Sequence, residues 1–319
     1  MLPRPQWLLL LAAACSPPMT TRFALVAPTS HQAISLLGDT LWTLPVDPKR
    51  GPKLVEQLQI ARNRNAVEIP SADDQMLLAR RTAEMGRLRE AVGLLSKTAA
   101  VHFNNARVFR QRGGLLLMLR EFELAKADFQ RAGALLIGRQ GLGMAEVVDL
   151  PEGEGAQLTT VQFQTALLLG ITHYLLGAWI PSRDVLIEAV KLAPNDDDLA
   201  QAAVWLFFAT RRIGTGASAT EVLRALGSNL QVELSRHEYA LLLGYKGQVP
   251  SDTINARATN RAGGDERALY AYGIGFWHLV RGQTDDAEPW LDEARTIPNW
   301  ASLPYIAAEA ELARLRRKS

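Results

Sequence analysis

A set of small and apolar residues recurs along this chain, with thirty-four residues between its first two copies. The four sets of equivalent positions are Gly86, Ala91, Leu95 and Thr98; Arg120, Ala125, Phe129 and Ala132; Gly177, Ser182, Leu186 and Ala189; and Gly282, Ala287, Leu291 and Ala294. A period of this length is typical of repeats made of two antiparallel helices. The small residues let neighbouring helices approach closely, and the Leu or Phe fills the space beside them. The period therefore predicts an all-α fold of stacked helical hairpins.

These positions resemble the tetratricopeptide repeat (TPR), which implies a TPR-type solenoid wound as a right-handed superhelix. The clear repeats are expected at about 72–105, 106–139, 163–196 and 268–301, and a degenerate stretch at 200–263. The clearest unit has Leu169-Gly170 at a close helix contact and Gly177 in its turn. The whole solenoid is expected to span 53–319.

The amino terminus has the pattern of an export signal. Arg4 precedes the apolar run 7–11, and Ala12-Ala13-Ala14 comes directly before Cys15. A charged segment, a short apolar core and small residues are typical of a secretory signal. A cysteine at this point resembles bacterial lipoproteins, which implies a signal peptide at 1–14, lipidation of Cys15 and a periplasm-facing protein anchored in the cell envelope. Ser16, which follows this cysteine, is compatible with delivery to the outer membrane. The alternatives are an ordinary cleaved signal with a chance cysteine, or a soluble tail.

Two segments interrupt the helical pattern. Residues 15–52 are rich in proline, which disfavours regular helix, so we expect a tether and an irregular lead-in with a short helix or hook at 34–42. Residues 138–160 combine five glycines with acidic side chains and predict a flexible acidic insertion. At the other end, Ser302 to Arg317 predicts a closing helix with a solvated face.

The overall pattern resembles bacterial TPR proteins of unassigned function that have an export signal, and more loosely the NlpI-type lipoproteins. The second resemblance implies a lipidated scaffold that brings other envelope proteins together. It rests on the lipid-signal cysteine and the helical hairpins, not on matched site residues. It implies a non-catalytic adaptor for a protein or peptide partner.

The composition and the motifs disfavour several other functions. Lys plus Arg total 35 against 33 acidic residues, a net charge of +2, whereas a nucleic-acid binder depends on a strong basic excess. The five histidines are scattered, and the sequence has no HExxH, Gly-x-Ser-x-Gly or Walker lysine. We expect no catalytic residues, no metal and no cofactor, although a carboxylate metal site at 196–198 or 285–286 is an alternative.

The inner helix of each repeat should line a concave groove. Helical phasing places a set of arginines, amides and aromatic residues there: Arg80, Arg107, Arg110, Gln111, Gln164, Tyr174, Trp205, Arg211, Arg212, Tyr272 and Phe276. Arginine beside aromatic residues is typical of binding hot spots, and guanidinium groups suit carboxylates, so an acidic or carboxylate-bearing partner is expected. The alternatives are packing roles for the aromatic residues, a glycan-fragment binder that stacks sugars on Trp205 and Tyr272, and an enzyme subunit.

Overall fold

The computed structural model describes residues 30–138, 145–148, 157–214, 216–227 and 229–317. These ranges contain fourteen helices, most of them in antiparallel pairs, so the fold is an all-α helical solenoid. The helices are α1 (Gly51–Asn65), α2 (Ala72–Glu84), α3 (Leu88–Val101), α4 (Ala106–Met118), α5 (Phe122–Leu136), α6 (Val161–Leu175), α7 (Trp179–Leu192), α8 (Asp196–Arg212), α9 (Gly216–Ala225), α10 (Arg236–Tyr245), α11 (Ser251–Thr259), α12 (Asp265–Leu279), α13 (Thr284–Ala294) and α14 (Leu303–Arg316). None of them combines the length and the apolar content that a membrane span requires.

The first helix of each pair lies on the inside of the solenoid. Helices α2, α4, α6, α8, α10 and α12 contact one another in succession, and each is followed by an outer partner. The pairs begin where helix-capping residues occur. Ser71, Asn105 and Asn195 each accept a hydrogen bond from a backbone N–H in the first turn of α2, α4 and α8, which satisfies an amide that has no partner inside the helix.

A close contact sixteen residues apart in the sequence holds the two helices of a pair together. A Cβ atom added at Gly170 of α6 would lie 2.6 Å from the side chain of Leu186 in α7. Ser182 Oγ also donates a hydrogen bond to the Gly170 carbonyl oxygen at 2.8 Å. Because only glycine fits this position, the sequence expectation of a close approach at Leu169-Gly170 is confirmed.

Two short β-hairpins accompany the helices. In the first, β1 (His31–Ile34) pairs antiparallel with β2 (Thr40–Trp42). This hairpin stands where an irregular lead-in with a helix or hook was expected. The second consists of β3 (Ala145–Val148) and β4 (Gln157–Thr160), which pair within the acidic insertion. Pairing between the two strands of each hairpin satisfies backbone N–H and C=O groups that lie outside the helices.

The first hairpin joins the two ends of the solenoid. On one side, the Arg89 amide of α3 donates to Gln32 Oε1 at 3.1 Å. On the other, Trp300 Nε1 donates to the Trp42 carbonyl oxygen at 2.8 Å, and Arg295 pairs with Asp39 at 2.8 Å. The hairpin therefore bridges the first repeat and the last.

The closing helix α14 lies inside the solenoid, not on its surface. Every residue from Tyr305 to Ala313 is buried, and the helix contacts α12, α13 and α6. The solvated face expected on this helix is therefore confined to its carboxyl end, where Arg316 and Arg317 are exposed. Its two buried carboxylates, Glu309 and Glu311, are each paired with arginines of other repeats or of its own last turn, which removes the main cost of burying them.

Candidate binding cavity

A cavity of about 870 Å³ lies at the centre of the solenoid, and all six inner helices contribute to it. Each helix presents side chains spaced by about one turn, such as Arg80 and Glu84 on α2, Gln164 and Leu168 on α6, and Asp265 and Leu269 on α12. Residues 302–304, at the amino-terminal end of α14, close part of the cavity. Side chains four residues apart lie on one face of a helix, so the repeat pattern itself directs these residues inward.

The cavity brings together five of the residues predicted from helical phasing. These are Arg80, Arg110, Gln111, Gln164 and Trp205. The Gln111 amide nitrogen also donates to the Met76 carbonyl oxygen at 3.2 Å, which links α4 to α2. Trp205 is only 3% exposed, and its ring packs against Tyr174, Phe208 and Tyr272.

Three other predicted residues are buried in the core. Tyr174, Tyr272 and Phe276 have no exposed surface, so the expectation that they lie on an open groove is wrong. The Tyr174 and Tyr272 hydroxyl oxygens are 2.6 Å apart, and Tyr174 also hydrogen-bonds to Glu311 at 3.1 Å. All three belong to inner helices, but Tyr174 and Tyr272 form a hydrogen-bonded group with Glu311 of α14. Phe276 packs against Phe207 and Phe208 of α8.

The remaining predicted arginines have partners away from the cavity. Arg107 pairs with Asp73 of the preceding inner helix at 2.7 Å. Arg211 lies over the ring of Trp277, 5.5 Å from its centroid. Arg212 pairs with Glu311 and lies over Trp179, 5.1 Å from its centroid. Both of these later arginines are at the carboxyl end of α8, whereas the cavity is lined by the amino-terminal half of that helix.

Three acidic residues that line the cavity were not predicted from the sequence. They are Glu238 of α10 with Asp265 and Glu266 of α12, and we call them the acidic wall. A signal was present: Glu238 follows Leu234 by four residues, and Asp265 precedes Leu269 by four. These acidic residues occupy the first turns of two inner helices, where carboxylates favour the helix dipole. Because this preference explains each residue locally, the sequence did not indicate that all three face the cavity.

Desolvation and like charges raise the pKa of two carboxyl groups in this wall. Burial raises the pKa of Glu238, and the nearby carboxylate of Asp197 adds to this effect. Burial also raises the pKa of Asp265, and Glu266 reinforces the shift, although the hydrogen bond from Asn299 opposes it. Burial lowers the pKa of the neighbouring His237, although the Glu266 carboxylate of the wall opposes this shift.

Two other predictions concern metal sites and lipidation. Among the described residues, no group of three His, Cys, Asp or Glu side chains could hold a metal ion. At the alternative site 196–198, Asp197 instead accepts hydrogen bonds from the backbone amides of Glu233, Leu234 and Ser235. Cys15 and the signal peptide lie outside the described residues.

Comparisons with known proteins yield similar solved structures and little else. No protein-family model matches the chain. No curated protein matches it either. The solved structures similar to it include YrrB, described as a TPR protein with an unusual peptide-binding site, at 14% identity and a TM-score of 0.40 over 83% of this chain and 98% of that one. Another is the carboxyl-terminal part of a TPR repeat-containing protein from Cytophaga hutchinsonii, at 11% identity and a TM-score of 0.26 over 78% of this chain and 92% of that one.

Proposed function

We propose that this protein is a non-catalytic scaffold that binds a peptide segment of a partner protein in the central cavity. The observation that carries the proposal is the cavity itself, to which every inner helix contributes side chains. A solenoid that used its inner surface only for packing would have no reason to keep about 870 Å³ open along six helices. Arginine, amide and apolar side chains together give such a surface both contact area and hydrogen-bonding capacity.

Gly114 offers a direct test, because it lines the cavity and a Cβ atom added there would meet nothing within 4 Å. Because its Cβ atom would lie in open space, a leucine at this position would extend into the cavity. Gly93 is the matched control, since it is an exposed helical glycine of the outer helix α3 with equally open surroundings.

The experiment selects peptides from a random twelve-residue display library against the full chain and measures their affinity by fluorescence anisotropy. Gly114→Leu should weaken binding at least tenfold, while Gly93→Leu should leave it unchanged. Circular dichroism should show the same thermal midpoint for both variants. Equal affinities for the two variants would show that the peptides bind elsewhere, and a failure to select any peptide would contradict peptide binding.

The carboxylate-bearing partner expected from the sequence is part of this proposal through Arg80 and Arg110, which line the cavity. A hydrogen bond between a guanidinium and a shielded carboxylate is worth about 1.5–3 kcal/mol, or about ten- to a hundredfold in affinity. The proposed site does not include Arg211, which lies over Trp277, or Arg212, which pairs with Glu311.

Location at the cell envelope is also part of the proposal, and the sequence around Cys15 supports it. Acyl chains on Cys15 would hold the protein at a membrane surface. Cys15→Ala should release the protein into the soluble fraction of the producing cell, with Ser16→Ala as a control that keeps the cysteine. If the Cys15 variant stays in the membrane fraction, the lipid anchor is refuted while the binding site is unaffected.

A further inference from the structure

The acidic wall has no cationic partner within the described part of the chain. Neither Glu238 nor Glu266 forms an ion pair with a described residue, and the hydrogen-bond partner of Asp265 is the neutral Asn299 amide, at 2.8 and 3.1 Å. All three carboxyl groups border the same cavity. Three acidic side chains therefore face one space with no internal cation to balance them.

Elsewhere in the described part of the protein, carboxylates of low exposure are paired with arginine or, like Asp197 and Asp198, accept hydrogen bonds from amides and hydroxyls. Asp128 is paired with Arg112 at 2.7 Å, Glu309 with Arg120 at 2.8 Å, and Glu311 with Arg314 at 3.0 Å. Each pair offsets the cost of removing a charge from water. The acidic wall departs from this pattern, and burial raises the pKa of Glu238 because its charged form is poorly solvated. A group that bears such a cost without an internal partner is suited to an external one.

The opposite charge is found on the early repeats. Arg80 of α2 and Arg110 of α4 line the cavity, whereas the acidic wall belongs to α10 and α12. Neutral side chains of α6 and α8, among them Gln164 and Gln201, lie between them in the order of the repeats. Glu84 of α2 lines the cavity too, and it pairs with Arg81 at 2.8 Å. The described lining thus carries both signs of charge at the amino-terminal repeats and carboxylates at the carboxyl-terminal repeats.

Apolar residues stand directly beside the acidic wall. Leu234 lies four residues before Glu238, just ahead of α10, and Leu269 follows Asp265 by one turn of α12. Both leucines line the cavity. A lysine or arginine side chain places an apolar stem against such a surface and its charged end beyond it. The leucine and carboxylate arrangement suits this kind of side chain better than it suits a compact inorganic cation.

We propose that the acidic wall binds a lysine or arginine side chain of the peptide. This inference rests on the proposed peptide-binding function and specifies the partner as a segment that presents a positive charge to α10 and α12.

The test uses a peptide selected on the full chain in two chemical forms, one with lysine and one with the same residue acetylated. Acetylation removes the charge but keeps the stem. The lysine form should bind about ten- to a hundredfold more tightly, the range that one shielded charge-assisted hydrogen bond provides. Glu238→Gln and Glu266→Gln should each reduce this preference, and the double variant should abolish it.

Glu188→Gln is the matched control for charge. It removes one negative charge from the outer helix α7, where Glu188 is 59% exposed and paired with Lys191. The preference for lysine should survive this change. Isothermal titration with Ca²⁺ alone should give no signal that depends on Glu238.

The outcomes separate this inference from the proposed function. Suppose that peptides bind and that Gly114→Leu blocks them. If acetylation or Glu238→Gln then leaves the affinity of the peptide unchanged, the acidic wall does not bind the peptide and only this inference fails. If no peptide binds in the cavity, the proposed function fails with it. Ca²⁺ binding that is lost in Glu238→Gln would replace the lysine with a metal ion and overturn the inference.

Discussion

Arg120 and Glu309 form a buried ion pair between the turn of the second repeat and the closing helix, 189 residues apart in the sequence. Arg120 Nη2 lies 2.8 Å from Glu309 Oε2, and Arg120 Nε lies 3.1 Å from Glu309 Oε1. Their side chains are 3% and 0% exposed. Arg120 has a φ of 67°, and it is the one residue other than glycine with a positive φ in the described part of the chain. The equivalent turn positions are Gly86, Gly177 and Gly282.

This exception to the glycine pattern has a physical cause. A left-handed backbone costs a residue with a Cβ atom about 1–2 kcal/mol, whereas a buried ion pair that loses one partner costs about 3–5 kcal/mol. The arginine also donates to the Trp300 carbonyl oxygen at 2.8 Å. The contacts with the end of the chain outweigh the strain at the turn.

The first prediction concerns Arg120→Gly. The glycine restores the favoured turn residue, yet we expect the free energy of unfolding to fall by about 2–4 kcal/mol, because Glu309 is left buried without its partner. The double variant Arg120→Gly with Glu309→Leu should recover only part of that loss, because the Leu36 amide, which donates to Glu309 at 2.6 Å, then loses its acceptor. Urea unfolding followed by circular dichroism measures both.

Arg224→Ala serves as the control for this prediction, since it breaks the exposed pair with Glu221 and should cost no more than about 1 kcal/mol. If Arg120→Gly proved as stable as the natural protein, the ion pair would be incidental and the arginine at the turn would have no structural explanation.

The second prediction concerns the close contact between the helices of one repeat. Gly170→Ala would place a Cβ atom 2.6 Å from Leu186, and such overpacking costs about 1–3 kcal/mol. The same change at Gly93, which has open surroundings, should stabilise the protein by about 0.5–1 kcal/mol, because alanine favours helix over glycine. Thermal unfolding of the two variants should therefore shift in opposite directions; shifts in the same direction would contradict the assigned contact.

Local chemistry explains why much of this fold could be predicted. The residues that set the repeat, such as Gly170 and Leu186, act within sixteen positions of one another, and their sizes are visible in the sequence. Helical phasing also identified which sides of α2, α4, α6 and α8 face inward. The same reasoning placed Arg80, Arg110 and Trp205 at the cavity.

Long-range contacts explain what could not be predicted. Nothing near Tyr174 or Tyr272 indicates that a helix from the far end of the chain covers them, yet Glu311 hydrogen-bonds to Tyr174 across 137 positions. The acidic wall was missed for a different reason. Asp265 and Glu266 follow the ordinary preference for carboxylates at a helix start, so their shared orientation emerged only from the packing of α10 against α12.

The third prediction concerns the pH dependence of stability through Glu311. Burial by itself would raise the pKa of this carboxyl group, but Arg212 and Arg314 outweigh that effect and lower its pKa below the usual 4.5. The folded state therefore binds a proton less readily than the unfolded state. The resulting stability is present above pH 4.5 and is lost as the pH falls through the lowered folded pKa.

Glu311→Gln should accordingly be less stable than the natural protein at pH 7, and the difference should shrink below pH 4.5. Urea unfolding at a series of pH values checks this, with Glu188→Gln as the exposed control. A difference that did not depend on pH would mean that Glu311 acts through its shape and hydrogen bonds alone.

The last prediction concerns the unbound acidic wall and has the opposite sign. Burial, reinforced by Asp197 of α8, raises the pKa of Glu238 above its usual 4.5, so its charged form destabilises the empty protein. Glu266 lines the same cavity and raises the pKa of its neighbour Asp265. Glu238→Gln should therefore stabilise the protein at pH 7 while it weakens binding of a lysine peptide. The gain should vanish as the pH falls through the raised folded pKa toward 4.5, because the natural side chain then becomes neutral too. A loss of stability at pH 7 would instead make Glu238 a structural residue.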